Sequence, residues 1–132
     1  MGLTMIAPAP LVALILSPLA AWAGNPSPTG SWLRANGTVR IAVTQCGTNF
    51  CAVNTWVKNP LGKEKVGDRI ILTVKPVSGT QYQGQAYDVR RQKTYRMTIT
   101  FQGNNMETSG CVLLGVICKS TNWTRIDQQS AG

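Results

Sequence analysis

The sequence contains no histidine, and only five of its 132 residues are acidic. The absence of histidine excludes Ser-His-Asp and Cys-His catalysis and removes the most common metal ligand. Of the acids, Glu64 and Asp68 lie among basic residues in one short segment, which favours a solvated, mutually neutralised loop over a catalytic pair. Because glycine-rich phosphate-binding motifs and serine-hydrolase motifs are absent as well, we expect a protein that is not an enzyme. A histidine-independent enzyme remains the alternative.

The first 23 residues also lack any charged side chain. An apolar run, Leu11–Leu16, precedes small residues at Ala21 and Ala23, which is the pattern of a cleaved export signal. The alternative is a buried or membrane-anchoring helix. Cleavage after Ala23 would place the protein in the periplasm or outside the cell. We therefore predict a signal peptide over residues 1–23, a flexible tether over 24–29, one domain over 30–127 and a disordered tail over 128–132.

Four cysteines follow the predicted cleavage site, an even number that indicates disulfide bonds in an oxidising compartment. The segment Cys46–Cys51 contains hairpin-turn residues, and the segment Cys111–Cys118 has a central glycine and could fold back likewise. We therefore expect each segment to close on itself, Cys46 with Cys51 and Cys111 with Cys118. A zinc site would typically show closer cysteine spacing, and free catalytic thiols would need a histidine partner.

No window after residue 30 shows a helical period. Instead, apolar and polar side chains alternate, most clearly over 95–101, where one face of a strand would meet a core and the other water. Turn residues separate about eight such runs. We place the strands near 30–35, 37–45, 50–58, 69–75, 80–88, 93–102, 105–113 and 116–126. The predicted fold is all-β, a small eight-stranded antiparallel up-and-down barrel, since closure removes exposed sheet edges. A two-sheet sandwich is the alternative.

The basic residues concentrate in two segments, 58–69 and 90–96, and account for most of a net charge of +8. Positive loops attract anionic surfaces, so we assign a candidate anion-binding role to Lys63, Lys65, Arg90 and Arg91. Export and the lack of a recognisable motif argue against nucleic acid as a partner. Solubility is the alternative explanation of the charge.

An eight-stranded barrel either fills with side chains or leaves room for one small ligand. The large aromatic residues Trp56, Tyr82 and Tyr95 are candidates to line such a cavity, although aromatic residues in barrels more often pack the core. Asp88 precedes a basic turn and is either a polar anchor at the mouth of the barrel or a turn-capping carboxylate. These four are the candidate ligand-binding residues.

Four segments, in order, carry a resemblance to a known family: "GSWL", "CGTNFCAVNTWVKNPLGK", "YDVRRQKTY" and "GCVLLGVICKSTNWTR". Together they resemble the bacterial exported family called domain of unknown function 2147, over about 30–126. That resemblance implies a lipocalin-like eight-stranded barrel. It also implies that Gly30-Ser31-Trp32 is the first-strand motif of such barrels, and that Arg125 stacks on Trp32 and shuts one end.

The chain departs from that family at "YDVRRQK", where the family usually has proline, an acidic residue and glycine. The segment "EKVGD" is also shorter than the insertion that the family often carries there. Taken together, these observations predict an exported binding module without cofactor or metal. The expected ligand is a small apolar molecule or an anionic component of the cell envelope. A structural or stress-related domain that acts through protein contacts is the alternative.

Overall fold

The computed structural model describes residues 26–126 together with the isolated residues Gly2 and Pro10. Apart from those two residues, the predicted signal peptide lies outside the described part of the chain, and so does the predicted tail. Within the described part, no helix is long and apolar enough to cross a membrane.

Eight strands follow one another along the chain, and all lie within a few residues of their predicted positions. They are β1 (Gly30–Arg34), β2 (Val39–Cys46), β3 (Asn49–Val57), β4 (Arg69–Pro76), β5 (Gln81–Asp88), β6 (Lys93–Gln102), β7 (Asn105–Val112) and β8 (Ile117–Arg125).

Each strand pairs antiparallel with the next, and β1 also pairs antiparallel with β8, which closes the sheet into a barrel. In the closing pair, Trp32 lies opposite Arg125 and Arg34 lies opposite Trp123. The prediction of a closed eight-stranded antiparallel barrel is confirmed, and the sandwich alternative is wrong. Closure pairs the backbone groups of β1 and β8 that an open meander would leave exposed at its two edges.

The hydrophobic core lies inside the barrel because alternate residues of every strand point inward. Trp32 and Ile99 are completely buried, and Tyr82 stacks edge-on against both Phe50 and Phe101. The large aromatic side chains therefore pack together in the half of the barrel nearest the start of β1.

The two ends of the barrel differ in what covers them. At one end, which we call the base, lie residues 27–29 and the turns at 47–48, 77–80 and 103–104. At the other, which we call the mouth, lie the turn at 35–38, the loop 58–68, the turn at 89–92 and the hairpin tip at 113–116.

The base is sealed by the segment that precedes β1. The indole Nε1 of Trp32 donates to the Pro28 carbonyl at 2.9 Å, and Pro28 itself is fully buried. Arg125 lies over the Trp32 ring and donates to the carbonyls of Thr29 and Ser27 at 2.8 and 3.1 Å. Residues 27–29, which the sequence assigns to a tether, are thus hydrogen-bonded to the barrel.

Both predicted disulfide bonds are present, Cys46–Cys51 and Cys111–Cys118. The first joins β2 to β3 at the base, and the second joins the directly opposed residues of β7 and β8 near the mouth. Each bond therefore links the two strands of one hairpin, as the turn residues between the cysteines predict.

Candidate ligand site at the mouth of the barrel

A cavity of about 110 Å³ opens at the mouth, between the barrel wall and the loop 58–68. Its lining combines charged side chains with an apolar floor. The lining residues are Arg34, Ile41, Ala52, Asn54, Glu64, Asp68, Ile70, Asp88, Arg91 and Trp123.

Arg34 is the central polar residue of this cavity. It follows Trp32 by two positions in β1, so strand alternation turns it to the same inner face. Its two terminal nitrogens donate to the two carboxylate oxygens of Glu64 at 2.7 and 2.6 Å. Its guanidinium also lies 5.2 Å from the centre of the Trp123 ring. The side chain is therefore fixed in place by an ion pair on one side and an aromatic face on another.

One donor of Arg34 is left over. Its Nε is buried and has no hydrogen-bond partner among the described residues. A buried donor without an acceptor is unfavourable, because it has lost its water and gained nothing in return. A ligand oxygen that accepted from this nitrogen, once the side chains around it moved to admit it, would remove that penalty.

The loop 58–68 is held against the barrel by its two carboxylates. Glu64 pairs with Arg34, and Asp68 accepts from the Nε and Nη2 atoms of Arg90 at 2.7 and 2.9 Å. The hydrogen bond from Arg34 holds the pKa of Glu64 below its usual value, and the one from Arg90 does the same to the pKa of Asp68. Both groups are therefore ionised near neutral pH. They act here as anchors that position one wall of the cavity.

Asp88 is the buried acid of the mouth, only 5% exposed. Its Oδ1 accepts from the backbone N–H of Arg91 at 3.1 Å, and its Oδ2 accepts from the Arg91 side chain at 2.9 Å. Asp88 thus caps the turn at 89–92 and also contributes to the cavity lining, which unites the two roles proposed for it from the sequence.

Below the mouth cavity lies a second, almost wholly apolar space of about 80 Å³. The two cavities share three lining residues, Ile41, Ala52 and Ile70. Deeper in, the second space is bounded by side chains such as Leu72, Met97 and Ile99. A molecule whose polar group meets Arg34 could therefore direct an apolar portion toward this space.

The sequence profile of one family, described as "Uncharacterized protein conserved in bacteria (DUF2147)", matches residues 30–125. The match begins with β1 and ends with the last residue of β8, so it covers the whole barrel. The chain belongs to this family. No curated protein and no solved structure matches the chain.

The candidate ligand residues predicted from the sequence lie in different places in this DUF2147 barrel. Asp88 lines the mouth cavity, whereas Tyr82 packs in the aromatic core nearer the base. Tyr95 packs against the core and borders a groove beside the 113–116 tip. Trp56 is 39% exposed and lies under Arg40, whose guanidinium is 5.2 Å from its ring centre. The structure thus brings only Asp88 to the mouth cavity.

A bulge explains the position of Trp56. Strict alternation along β3 would turn Ala52, Asn54 and Trp56 to one face. The register instead shifts between Arg40 and Ile41, so that Ile41 opposes Asn54 and Arg40 opposes Trp56. One extra residue in β3 moves every later side chain to the other face. Trp56 is therefore on the outer surface of the barrel.

The four candidate anion-binding residues all lie at the mouth, but their contacts differ. Arg90 pairs with Asp68, and Arg91 pairs with Asp88. Both arginines also donate to the backbone carbonyl of Lys63, and the Lys65 ammonium donates to the Pro60 carbonyl at 2.8 Å. The two arginines therefore tie the loop 58–68 to the turn at 89–92, and the Lys65 hydrogen bond lies within that loop.

The site residues predicted from the sequence do not include Arg34, Glu64 or Trp123. The two-residue period that places Trp32 inside also places Arg34 inside, and this signal was available. The pairing of Arg34 with Glu64, 30 positions apart, has no such signal in the sequence, because it depends on how the loop 58–68 folds back over the mouth.

Proposed function

We propose that this DUF2147 protein is an exported, non-enzymatic binding module that holds a small neutral amphiphile at the mouth of its barrel. The observation that carries the proposal is Arg34, which lines a cavity with an apolar floor and whose buried Nε has no acceptor among the described residues. Ligand sites in proteins commonly combine a mostly apolar wall with a few fixed polar groups.

Two disulfide bonds in a domain of a bacterial family support export, because such bonds persist in oxidising compartments. The uncharged, apolar first 23 residues support the same conclusion. We therefore assign the protein to the periplasm or the cell exterior.

The charges of the cavity favour a neutral ligand over an anion. Its lining holds two guanidinium groups, Arg34 and Arg91, against the three carboxylates Glu64, Asp68 and Asp88. Each of these carboxylates is already paired with an arginine, so a ligand carboxylate would have to compete with Glu64 for Arg34, whereas a hydroxyl or carbonyl oxygen needs only an unused donor. The ligand class is therefore an apolar molecule with one uncharged acceptor group.

The ion pairs also support binding over acid–base catalysis. A general acid or base works best when its pKa lies near the working pH. The pKa values of Glu64 and Asp68 are instead held below their usual values by Arg34 and Arg90. These carboxylates hold no proton to donate near neutral pH and are poor proton acceptors.

A titration with hexanol and hexanoate, followed by ¹⁵N NMR, tests the proposal. Hexanol should shift the Arg34 Nε–H and Trp123 indole resonances in a saturable way, with a Kd of about 1 mM, as expected for a ligand of so few atoms. Hexanoate should bind at least about tenfold more weakly, because its carboxylate would have to compete with Glu64 for Arg34. Equal affinity for both, or shifts confined to the base, would contradict the proposal.

Two matched variants test whether hexanol binds at Arg34. Arg34→Lys keeps the positive charge but removes the Nε donor, and it should weaken hexanol binding about five- to tenfold. Arg40→Lys is the control, since Arg40 lies at the same 5.2 Å from a tryptophan ring but on the outer surface. If both variants bound hexanol like the parent protein, Arg34 would not be the acceptor-binding group.

A further inference from the structure

The tip of the β7–β8 hairpin exposes an unusual run of apolar side chains at the mouth. Leu113, Leu114, Val116 and Ile117 are 67, 92, 80 and 55% exposed. Single exposed apolar residues are ordinary on protein surfaces, but a group of four on one projecting turn is not. These side chains add little to the core, so the stability of the barrel does not explain them.

The backbone of this tip is also unfavourable for its residues. Leu113 and Leu114 have φ angles of 53° and 58°, in the left-handed region that leucine rarely adopts, and Gly115 follows at 86°. Leu113 and Leu114 are the central residues of a turn closed from Gly115 to Val112, and turns with positive φ at both central residues normally carry asparagine, aspartate or glycine. The chain therefore places two leucines where they are both strained and exposed, a combination that points to a function rather than to folding.

The disulfide Cys111–Cys118 lies at the root of this tip, one residue outside the terminal Val112–Ile117 pair. The turn itself is closed by backbone hydrogen bonds from Gly115 to Val112 and from Val116 to Leu113. The projecting leucines are therefore presented on a cross-linked support.

Positive charge is concentrated at the same end of the barrel as the tip. Eleven of the 13 basic residues lie in the mouth loops or within four residues of a strand end at the mouth. They are Arg34, Arg40, Lys58, Lys63, Lys65, Arg69, Arg90, Arg91, Lys93, Arg96 and Lys119. The three acids at the mouth, Glu64, Asp68 and Asp88, are each paired with an arginine. The mouth thus carries a net charge of +8, whereas Lys75, Arg125 and Glu107 lie closer to the base.

We propose that the mouth docks on a bilayer of anionic phospholipids, with Leu113 and Leu114 inserted among the lipids. An anionic bilayer presents negative headgroups above a hydrocarbon interior. Basic residues at the mouth would meet the headgroups, and the apolar tip would enter the hydrocarbon. Four side chains on one turn offer far less area than the roughly 800 Å² per partner of a standard protein interface, but they suit shallow insertion. This inference does not depend on ligand binding in the cavity.

Cosedimentation with lipid vesicles tests the proposal through the double variant L113N/L114G. Asparagine and glycine suit the left-handed turn, so this variant should unfold at a higher temperature than the parent protein. It should nevertheless bind vesicles of phosphatidylglycerol and phosphatidylcholine at least about tenfold more weakly, because the inserting side chains are gone. Val77→Asn, which removes an exposed apolar side chain from the base, should bind like the parent protein.

Lipid composition and salt supply a second test. The parent protein should bind vesicles that contain phosphatidylglycerol, should bind pure phosphatidylcholine vesicles much more weakly, and should dissociate as salt is raised. A tryptophan introduced by L114W should shift its emission to the blue on binding and be quenched by brominated lipids, whereas one introduced by V77W should not.

Several results would overturn the proposal. They are the absence of vesicle binding by the parent protein, equal binding to charged and uncharged vesicles, and full binding by L113N/L114G. Self-association of the parent protein that L113N/L114G abolishes, without vesicle binding, would assign the tip to contacts with a second copy of the chain instead.

Discussion

The guanidinium carbon of Arg125 lies 4.2 Å from the centre of the Trp32 ring, and the two residues face each other where β8 closes on β1. The contact is desolvated, since Trp32 is fully buried. The Gly-x-Trp motif of the first strand implies this pair through its resemblance to lipocalin-type barrels, and the geometry agrees with that expectation.

We expect Arg125→Ala to lower the free energy of unfolding by about 1–3 kcal/mol, because it removes a buried cation–π contact and leaves two backbone carbonyls without their donor. Urea denaturation measures the change. Arg40→Ala is the control, since its ring partner Trp56 is exposed, and it should cost less than about 1 kcal/mol. Equal stability of Arg125→Ala and the parent protein would remove the base-sealing role.

Gly84→Ala tests the close approach of β4 and β5. A Cβ at Gly84 would lie 2.0 Å from the Thr73 carbonyl oxygen and 2.8 Å from the Val74 Cα, so the backbone would have to move. We expect a loss of about 2–3 kcal/mol in unfolding free energy. The control is Gly110→Ala, whose Cβ would meet only side-chain atoms at 3.8 Å or more, with a change within about 1 kcal/mol. Similar losses in the two variants would show that the close approach is not present.

The strand positions could be predicted because the alternation of apolar and polar residues has the period of a half-buried strand. The disulfide pairs could be predicted because hairpin-turn residues lie between Cys46 and Cys51 and a central glycine lies between Cys111 and Cys118. The outward orientation of Trp56 could not be predicted, because a single bulge residue in β3 reverses the alternation and nothing in the local sequence marks that residue. The pairing of Arg34 with Glu64 also required the path of the loop 58–68, which depends on long-range contacts.

Stability in acid should depend on Glu64. Its pKa is lower in the folded chain than the unperturbed 4.5, because Arg34 donates to its carboxylate. The resulting stabilisation is present above about pH 4.5 and is lost as the pH falls through the lower, folded-state pKa. Glu64→Gln should therefore be less stable than the parent protein at pH 7, by up to about 1 kcal/mol since the pair is partly exposed, and the two should converge as the pH falls below the folded-state pKa of Glu64. A difference that stayed constant with pH would contradict this origin.

Removal of either disulfide bond should destabilise the barrel. The pairs Cys46–Cys51 and Cys111–Cys118 close short loops, for which chain-entropy arguments give about 2 kcal/mol each. The loss in unfolding free energy can be measured by denaturation without reductant, for variants in which both cysteines of one bond are replaced by alanine. Peptide mapping of the unreduced protein should recover only these two pairs, and a bond between the two hairpins would show that the register at β7–β8 or β2–β3 is wrong.

The central claim is that the base is sealed and the mouth is accessible, and hydrogen exchange at two indole groups tests it most directly. The Trp32 Nε1–H is bonded to the Pro28 carbonyl beneath a fully buried ring, whereas the Trp123 Nε1–H is bonded to the Thr108 hydroxyl in a residue that lines the mouth cavity. We predict that the Trp123 indole proton exchanges with solvent at least about tenfold faster than that of Trp32. Equal rates, or faster exchange at Trp32, would contradict the account.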